Sequence, residues 1–235
     1  MKLVKKTAEQ FINEMKLSIP VNLELICSNL NIKVVYLNIK DAYGYLRVEG
    51  SKKHIFISKK IQGTNRARFT IAHELGHYIL GHDTTSFCKY TEMDYYKKEI
   101  KKKKEREADI FAAELLMPSK YIDEELENIL PKDYYKLNEL RERYEVSLIS
   151  LLCKYVDVSD EKLKILYYKQ DKILWEYGNN NIEIIHNTIK NINDITYRKD
   201  YLNKWCYNED IKCIYELIIP QGDYRIVLLH LIEEE

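Results

Sequence analysis

The sequence predicts an α+β fold, on two observations about the spacing of its apolar residues. Up to about residue 158, apolar residues recur at helical spacing, except in three short β-rich segments between residues 33 and 58. From residue 159 onward, most segments alternate at the period of a strand. We therefore predict three regions: a small sheet with helices in residues 1–118, a helical, helix-turn-helix-like segment in residues 119–158, and an α+β region in residues 159–235.

The first predicted elements are two helices and a small sheet. Thr7 is placed to cap a first helix, and Pro20 to start a second, shorter one. The segments 33–38, 42–48 and 53–58 are rich in β-branched and aromatic residues and are separated by turn-prone residues. These three segments are predicted to pair into one sheet.

Two longer helices are predicted next. Residues 64–80 return to helical spacing, with Thr64 or Asn65 as the N-cap and Gly81 in the left-handed position after the last turn. The second helix covers residues 99–117, and the proline that follows prevents its continuation.

The remaining elements are predicted with the same rules. Three helical patterns follow the proline, and they cover residues 120–128, 133–143 and 146–155. Residues 163–169 and 172–177 form a predicted hairpin, and residues 213–219 and 224–230 form another across a Pro-Gln-Gly-Asp turn. A helix is predicted between the hairpins, at residues 182–192.

Composition and charge exclude several classes of protein. The chain has 37 Lys and Arg against 37 Asp and Glu, with 46% hydrophobic residues, which excludes a disordered or collagen-like chain. A net charge of zero gives no general attraction to nucleic acid or to anionic membranes. The five cysteines include no closely spaced pair, and no apolar run is long enough for a membrane span. We expect a cytoplasmic protein.

The chemistry-bearing motif is His73-Glu74-Leu75-Gly76-His77, inside the helix predicted at residues 64–80. Four helical residues advance about 6 Å and 400°, so His73 and His77 lie one turn apart on one face and can bind one metal ion. Glu74 points away by about 100°, which suits a general base that accepts a proton from water and does not bind the metal. This pattern predicts a Zn²⁺ site with Glu74 as the catalytic base.

A catalytic zinc site needs a third protein ligand, and the residues leave three candidates. Glu105 is favoured because Asp109, one turn later on the same face, can accept the Nδ1 proton of a ligand histidine. Glu107 competes, but its neighbour one turn later is a phenylalanine that cannot serve this purpose. His82 follows His77 by five residues, one short of the spacing that returns a third histidine across a glycine turn.

The sequence resembles the ImmA/IrrE family of zinc metallopeptidases. The resemblance rests on residues 19–21 (IPV), 68–77 (RFTIAHELGH) and 105–118 (EREADIFAAELLMP), and it covers about residues 10–155. It implies a zincin-like catalytic segment with His73, His77 and Glu105 as zinc ligands and Glu74 as the general base. Asp109 stands where the family often has Asn.

The resemblance also implies a substrate. Members of this family typically cleave a helix-turn-helix transcriptional repressor and so switch on stress, phage or mobile-element genes. We therefore expect a zinc endopeptidase of narrow specificity with such a repressor as its partner. The alternative is a non-proteolytic binding module that sequesters or recruits a regulator. Tyr43, Tyr45, His54 and His82 are candidate donors to the oxyanion, and the sequence does not choose among them.

Three weaker signals complete the sequence analysis. The lysine-rich residues 97–104 are typical of a solvated helix start. Residues 133–155 resemble a helix-turn-helix pair, but few basic residues mark the second helix, so we do not expect direct DNA binding. Residues 159–235 contain no recognised motif, and a regulatory role for them is a hypothesis.

Overall fold

The computed structural model describes residues 2–82, 103–130, 133–169, 172–181, 196–199 and 211–233. Helices and two sheets make up these residues, which confirms the predicted α+β class. The chain divides into two compact units, Met1–Ile122 with Arg141–Ser147, and Asp123–Leu140 with Leu148–Glu235. The predicted boundaries at residues 118 and 158 stay a prediction. None of the described helices is both long and apolar enough to cross a bilayer.

The first helix, α1 (Lys2–Met15), begins earlier than predicted. Its buried stripe already includes Val4 and Ala8, so burial of this face extends the helix past the predicted cap towards the N-terminus. Thr7 lies inside the helix, where its hydroxyl donates to the carbonyl of Leu3 at 3.0 Å. The prediction that Thr7 caps α1 was therefore wrong, because the hydroxyl bonds back to the preceding turn.

The second helix, α2 (Leu23–Asn29), begins three residues after Pro20. Asn22 is its N-cap, and the Asn22 side chain accepts a hydrogen bond from the backbone N–H of Leu25 at 2.8 Å. The short helix was thus predicted in the right place, but it starts after the Asn22 cap and not at Pro20.

The predicted small sheet is present, and its topology is mixed. It consists of β1 (Ile32–Leu37), β2 (Gly44–Glu49) and β3 (Lys52–Ser58), in the order β1-β3-β2. The central strand β3 is parallel to β1 and antiparallel to β2. One face is buried through Ile55 and Ile57, as expected for alternating residues of a half-buried strand.

The two longer helices are α3 (Asn65–Ile79) and α4 (Lys103–Leu116). Thr64 caps α3 by accepting a hydrogen bond from a backbone N–H in its first turn, and Gly81 follows α3 with φ +66°, as both were predicted. The predicted start of the second helix, at residues 99–102, lies outside the described residues. Three further helices follow: α5 (Ser119–Glu127), α6 (Tyr134–Arg143) and α7 (Leu148–Val158).

The second sheet belongs to the second unit and confirms both predicted hairpins. Its strands are β4 (Lys162–Lys169), β5 (Lys172–Gly178), β6 (Thr196–Lys199), β7 (Ile211–Gln221) and β8 (Tyr224–Glu233). Their order is β5-β4-β8-β7-β6, and all neighbouring pairs are antiparallel. Apolar residues of β4 and β8, among them Ile165 and Leu228, are buried. The helix predicted at residues 182–192 lies outside the described residues.

Candidate metal centre

Helix α3 is held in place at its first turn by side chains that reach other segments of the same unit. Arg68 donates through Nη2 to the carbonyl of Val21 at 2.8 Å, and its Nη1 lies 2.9 Å from a carboxylate oxygen of Glu145. Asn65 donates to the carbonyl of Val146 at 2.8 Å. These contacts fix the helix that carries the histidine motif.

Gly76 allows α3 and α4 to approach closely. A Cβ atom at this position would lie 3.0 Å from the carbonyl oxygen and 3.2 Å from the Cα of Ala108 on α4. A glycine inside a helix costs about 1 kcal/mol relative to alanine. The close approach of two backbones explains this glycine.

The two helices bring together His73, His77 and Glu105. The Nε2 atoms of His73 and His77 are 3.0 Å apart, and the Glu105 Oε2 atom lies 3.3 Å from the first and 3.4 Å from the second. All three residues are buried. One ligand atom from each lies within 4.8 Å of the others, so this group could hold a metal ion.

Asp109 determines which nitrogen of His73 faces the group. Its Oδ1 atom lies 2.8 Å from His73 Nδ1, and both residues are almost completely buried. A carboxylate only accepts hydrogen bonds, so His73 donates through Nδ1 and its Nε2 keeps a lone pair. This is the arrangement by which an outer carboxylate orients a metal-binding histidine.

His77 has a comparable outer partner in His82, which in turn contacts Glu107. The Nδ1 atoms of His77 and His82 are 3.0 Å apart, and His82 Nε2 lies 3.2 Å from Glu107 Oε2. Burial and the neighbouring His77 lower the pKa of His82, against the opposing effect of Glu107. The net shift favours the neutral form of the His82 ring.

The chemistry of these three atoms fits a zinc ion. Two imidazole nitrogens and a carboxylate oxygen can all donate electron pairs, and a bound cation would offset the repulsion between them in this buried site. Ligands at about 2.0 to 2.2 Å from a tetrahedral zinc lie roughly 3.3 to 3.5 Å apart. The distances from Glu105 to the two histidines, 3.3 and 3.4 Å, agree with this value, and the distance between the histidines, 3.0 Å, is slightly shorter.

The electrostatics of Glu105 favour the ionised form that a metal ligand needs. Burial alone would raise the pKa of Glu105, but the neighbouring His73 and His77 more than offset burial. The pKa of Glu105 is therefore held well below its usual range.

Glu74 lies directly after His73 on α3, where it is buried. Of the four candidate oxyanion donors, His82 follows α3, and the other three lie on or next to the small sheet. Tyr45 and His54 both pack their rings against Phe56, and Tyr43 packs against Arg66. These contacts do not select an oxyanion donor, so this part of the sequence prediction stays open.

Residues 27–154 match the model of the family Peptidase_M78, described as the IrrE N-terminal-like domain. The chain belongs to this family. The match covers more than half of the 235 residues and includes the histidine motif and the whole of α4. The resemblance that the sequence motifs indicated is thereby confirmed. No curated protein matches the chain.

A solved structure, described as a Mycobacterium tuberculosis transcriptional regulator, is similar to this chain in fold. The TM-score is 0.54 at 13% sequence identity, and the similarity covers 98% of this chain and 88% of the other. At this identity the similarity concerns the fold alone.

Sequence reasoning missed the arrangement of His82 and Glu107. Both were considered as alternative third ligands, whereas the structure places them in contact with each other, and His82 in contact with the outer nitrogen of His77. The sequence contained one usable signal. A histidine five residues after His77 follows a glycine in the left-handed conformation, which turns the chain back at the end of α3.

Proposed function

We propose that this chain is a zinc-dependent endopeptidase of narrow specificity with a zincin-like catalytic segment. The observation that carries the proposal is the buried convergence of His73, His77 and Glu105 in a member of a peptidase family. In this proposal, the three residues bind zinc and leave a fourth position open. Asp109 orients His73.

The proposed chemistry is hydrolysis of a peptide bond. Zinc, when bound, supplies Lewis acidity that favours ionisation of water and polarises the scissile carbonyl. In this proposal Glu74, which follows His73 directly along α3, takes a proton from the attacking water and gives it to the leaving amine. Burial of Glu74 keeps this proton transfer away from bulk solvent.

The proposed substrate is a helix-turn-helix transcriptional repressor. Similarity to the ImmA/IrrE family supports this substrate class, and cleavage would derepress stress, phage or mobile-element genes. Such a substrate would place the reaction in the cytoplasm.

We also propose that residues 1–118 catalyse the reaction, that residues 119–158 help to dock the repressor, and that residues 159–235 regulate the activity. A chain that ends at residue 158 tests the regulatory role. If this shorter chain cleaves the repressor at the same rate and under the same control, the regulatory role is wrong.

The experiment that tests the activity compares wild type with Glu74→Gln in cells that also express a candidate helix-turn-helix repressor. We expect new N-termini in that repressor only with wild type, because the amide cannot accept a proton. Loss of a positioned general base typically lowers the rate by about 10²- to 10⁴-fold. Both proteins should contain equal amounts of zinc.

The competing function is a binding module that sequesters or recruits a regulator. A binding module would act identically with Glu74 or with glutamine at this position, and no cleaved protein would accumulate. Equal derepression by wild type and Glu74→Gln, without new N-termini, would therefore favour the binding module and contradict the endopeptidase.

A further inference from the structure

His82 connects His77 to Glu107 and uses both of its ring nitrogens to do so. Its Nδ1 lies 3.0 Å from His77 Nδ1, and its Nε2 lies 3.2 Å from Glu107 Oε2. The His82 side chain is only 7% exposed, and that of Glu107 is 25% exposed. The second oxygen of Glu107 faces solvent-exposed Lys103 at 3.8 Å. The row of contacts therefore runs from the protein surface to the metal centre.

The positions of the hydrogens in this row follow from donor chemistry. Glu107, as a carboxylate, only accepts, so the hydrogen lies on His82 Nε2. A neutral ring with a hydrogen on Nε2 has a lone pair on Nδ1, so His82 Nδ1 accepts from His77 Nδ1. His77 then carries no hydrogen on Nε2, which is the nitrogen that faces His73 and Glu105.

We propose that His82 and Glu107 are positioning residues that fix the tautomer and ring orientation of His77, as Asp109 does for His73. This inference rests on the proposed zinc site and adds a second row of outer side chains to it. The two rows end at different depths in the protein. The first row stops inside the protein, since Asp109 is 1% exposed. The row through His82 reaches the surface beside Lys103.

The same contacts argue against His82 or Glu107 as the third ligand. His82 faces Nδ1 of His77, which points away from the metal centre, and its other nitrogen is engaged by Glu107. Either residue would have to break these contacts to reach zinc. Glu105 already lies within 3.4 Å of both ligand nitrogens.

The test uses the full chain and measures zinc affinity by competition with a chelator. It also records the ¹⁵N chemical shifts of His77, which report which ring nitrogen carries the hydrogen. The variants are His82→Ala, which removes the acceptor, and His82→Asn, whose amide oxygen can stand near the position of Nδ1. The control is His230→Ala, a histidine on β8 that contacts Glu161.

We expect His82→Ala to bind zinc about 10- to 100-fold more weakly, the usual effect of losing an outer partner of a metal ligand. In the zinc-free protein, the His77 hydrogen should lie on Nδ1 in wild type and be distributed over both nitrogens in His82→Ala. His82→Asn should recover most of the affinity, and His230→Ala should bind zinc like wild type. A merely structural role for His82 would not change the tautomer.

Two results would overturn the inference while leaving the zinc site in place. One is an unchanged affinity and an unchanged His77 tautomer in His82→Ala. The other is complete loss of zinc from both His82 variants, which would make His82 a ligand. A wild-type chain that binds no zinc would instead overturn the proposed function, and the inference with it.

Discussion

Buried polar side chains are arranged differently in the α3–α4 helix pair and in the five-stranded sheet. In the helix pair, His73, His77 and Glu105 direct electron-pair donors at one point. In the sheet, Lys164 lies 3.6 Å from Glu176, and His230 Nε2 lies 2.7 Å from Glu161. The partners in the sheet are more than half exposed.

This difference separates a structural role from a functional one. A buried basic side chain beside an acidic side chain at the surface brings a hydrogen-bond donor to an acceptor. Three donors of electron pairs that converge in a buried site lower stability unless a cation joins them. The sheet therefore shows what ordinary burial of polar groups looks like in this chain, and the helix pair departs from it.

The largest expected effect is a loss of stability caused by a substitution in the core of the five-stranded sheet. Leu228 is buried on β8 and pairs with Leu217 and Ile165 on the neighbouring strands. Leu228→Ala should lower the free energy of unfolding by about 2 to 5 kcal/mol, because it leaves a cavity. Chemical denaturation measures this, with the more exposed Leu174→Ala as control. Zinc affinity should not change, and a large loss of affinity would contradict the separation of roles.

The next effect is on metal binding. Asp109→Ala should weaken zinc binding by about 10- to 100-fold, because His73 loses the acceptor that orients it. Asp109→Asn should lose less, since its amide oxygen still accepts from His73 Nδ1. The exposed carboxylate variant Asp41→Ala is the control. Competition with a chelator measures all three, and equal affinity in Asp109→Ala and wild type would show that the outer contact does not support the site.

The smallest effect concerns the spacing of the helix pair. Gly76→Ala should destabilise the chain by about 1 to 2 kcal/mol, although alanine is the better helix former, because the new methyl group meets the backbone of Ala108. Zinc affinity should fall as well, since the helices must move apart. Gly63→Ala is the control for zinc affinity. Its φ of +74° strains alanine, but nothing lies within 4 Å of the new methyl group, so it should lose stability without losing zinc affinity. A more stable Gly76→Ala would contradict the close approach.

Much of the fold could be predicted because local signals agreed with burial. The Thr64 cap, the turn at Gly81 and the hairpin of β7 and β8 all combine a specific turn or capping residue with a clear apolar period. The cap at Thr7 was wrongly predicted because a threonine hydroxyl can bond to the backbone both at a cap and inside a helix. Only the buried stripe of α1 decides between the two positions. The parallel pairing of β1 with β3 depends on tertiary packing, which spacing does not express.

The candidate site was predictable where its residues share one helix. His73 and His77 lie one turn apart on α3, and Glu105 and Asp109 lie one turn apart on α4. The contact between His82 and Glu107 joins the end of α3 to the start of α4. Such a contact depends on how the two helices cross, so no spacing along the chain predicts it.

The central claim is that His73, His77 and Glu105 hold a zinc ion. Elemental analysis of the purified chain beside Glu105→Ala and Glu107→Ala tests it most directly, since the two glutamates are two residues apart on one helix. We predict about one zinc per chain in wild type and in Glu107→Ala, and none in Glu105→Ala. No zinc in wild type, with none regained on adding zinc, would contradict the claim, as would loss of zinc from Glu107→Ala alone.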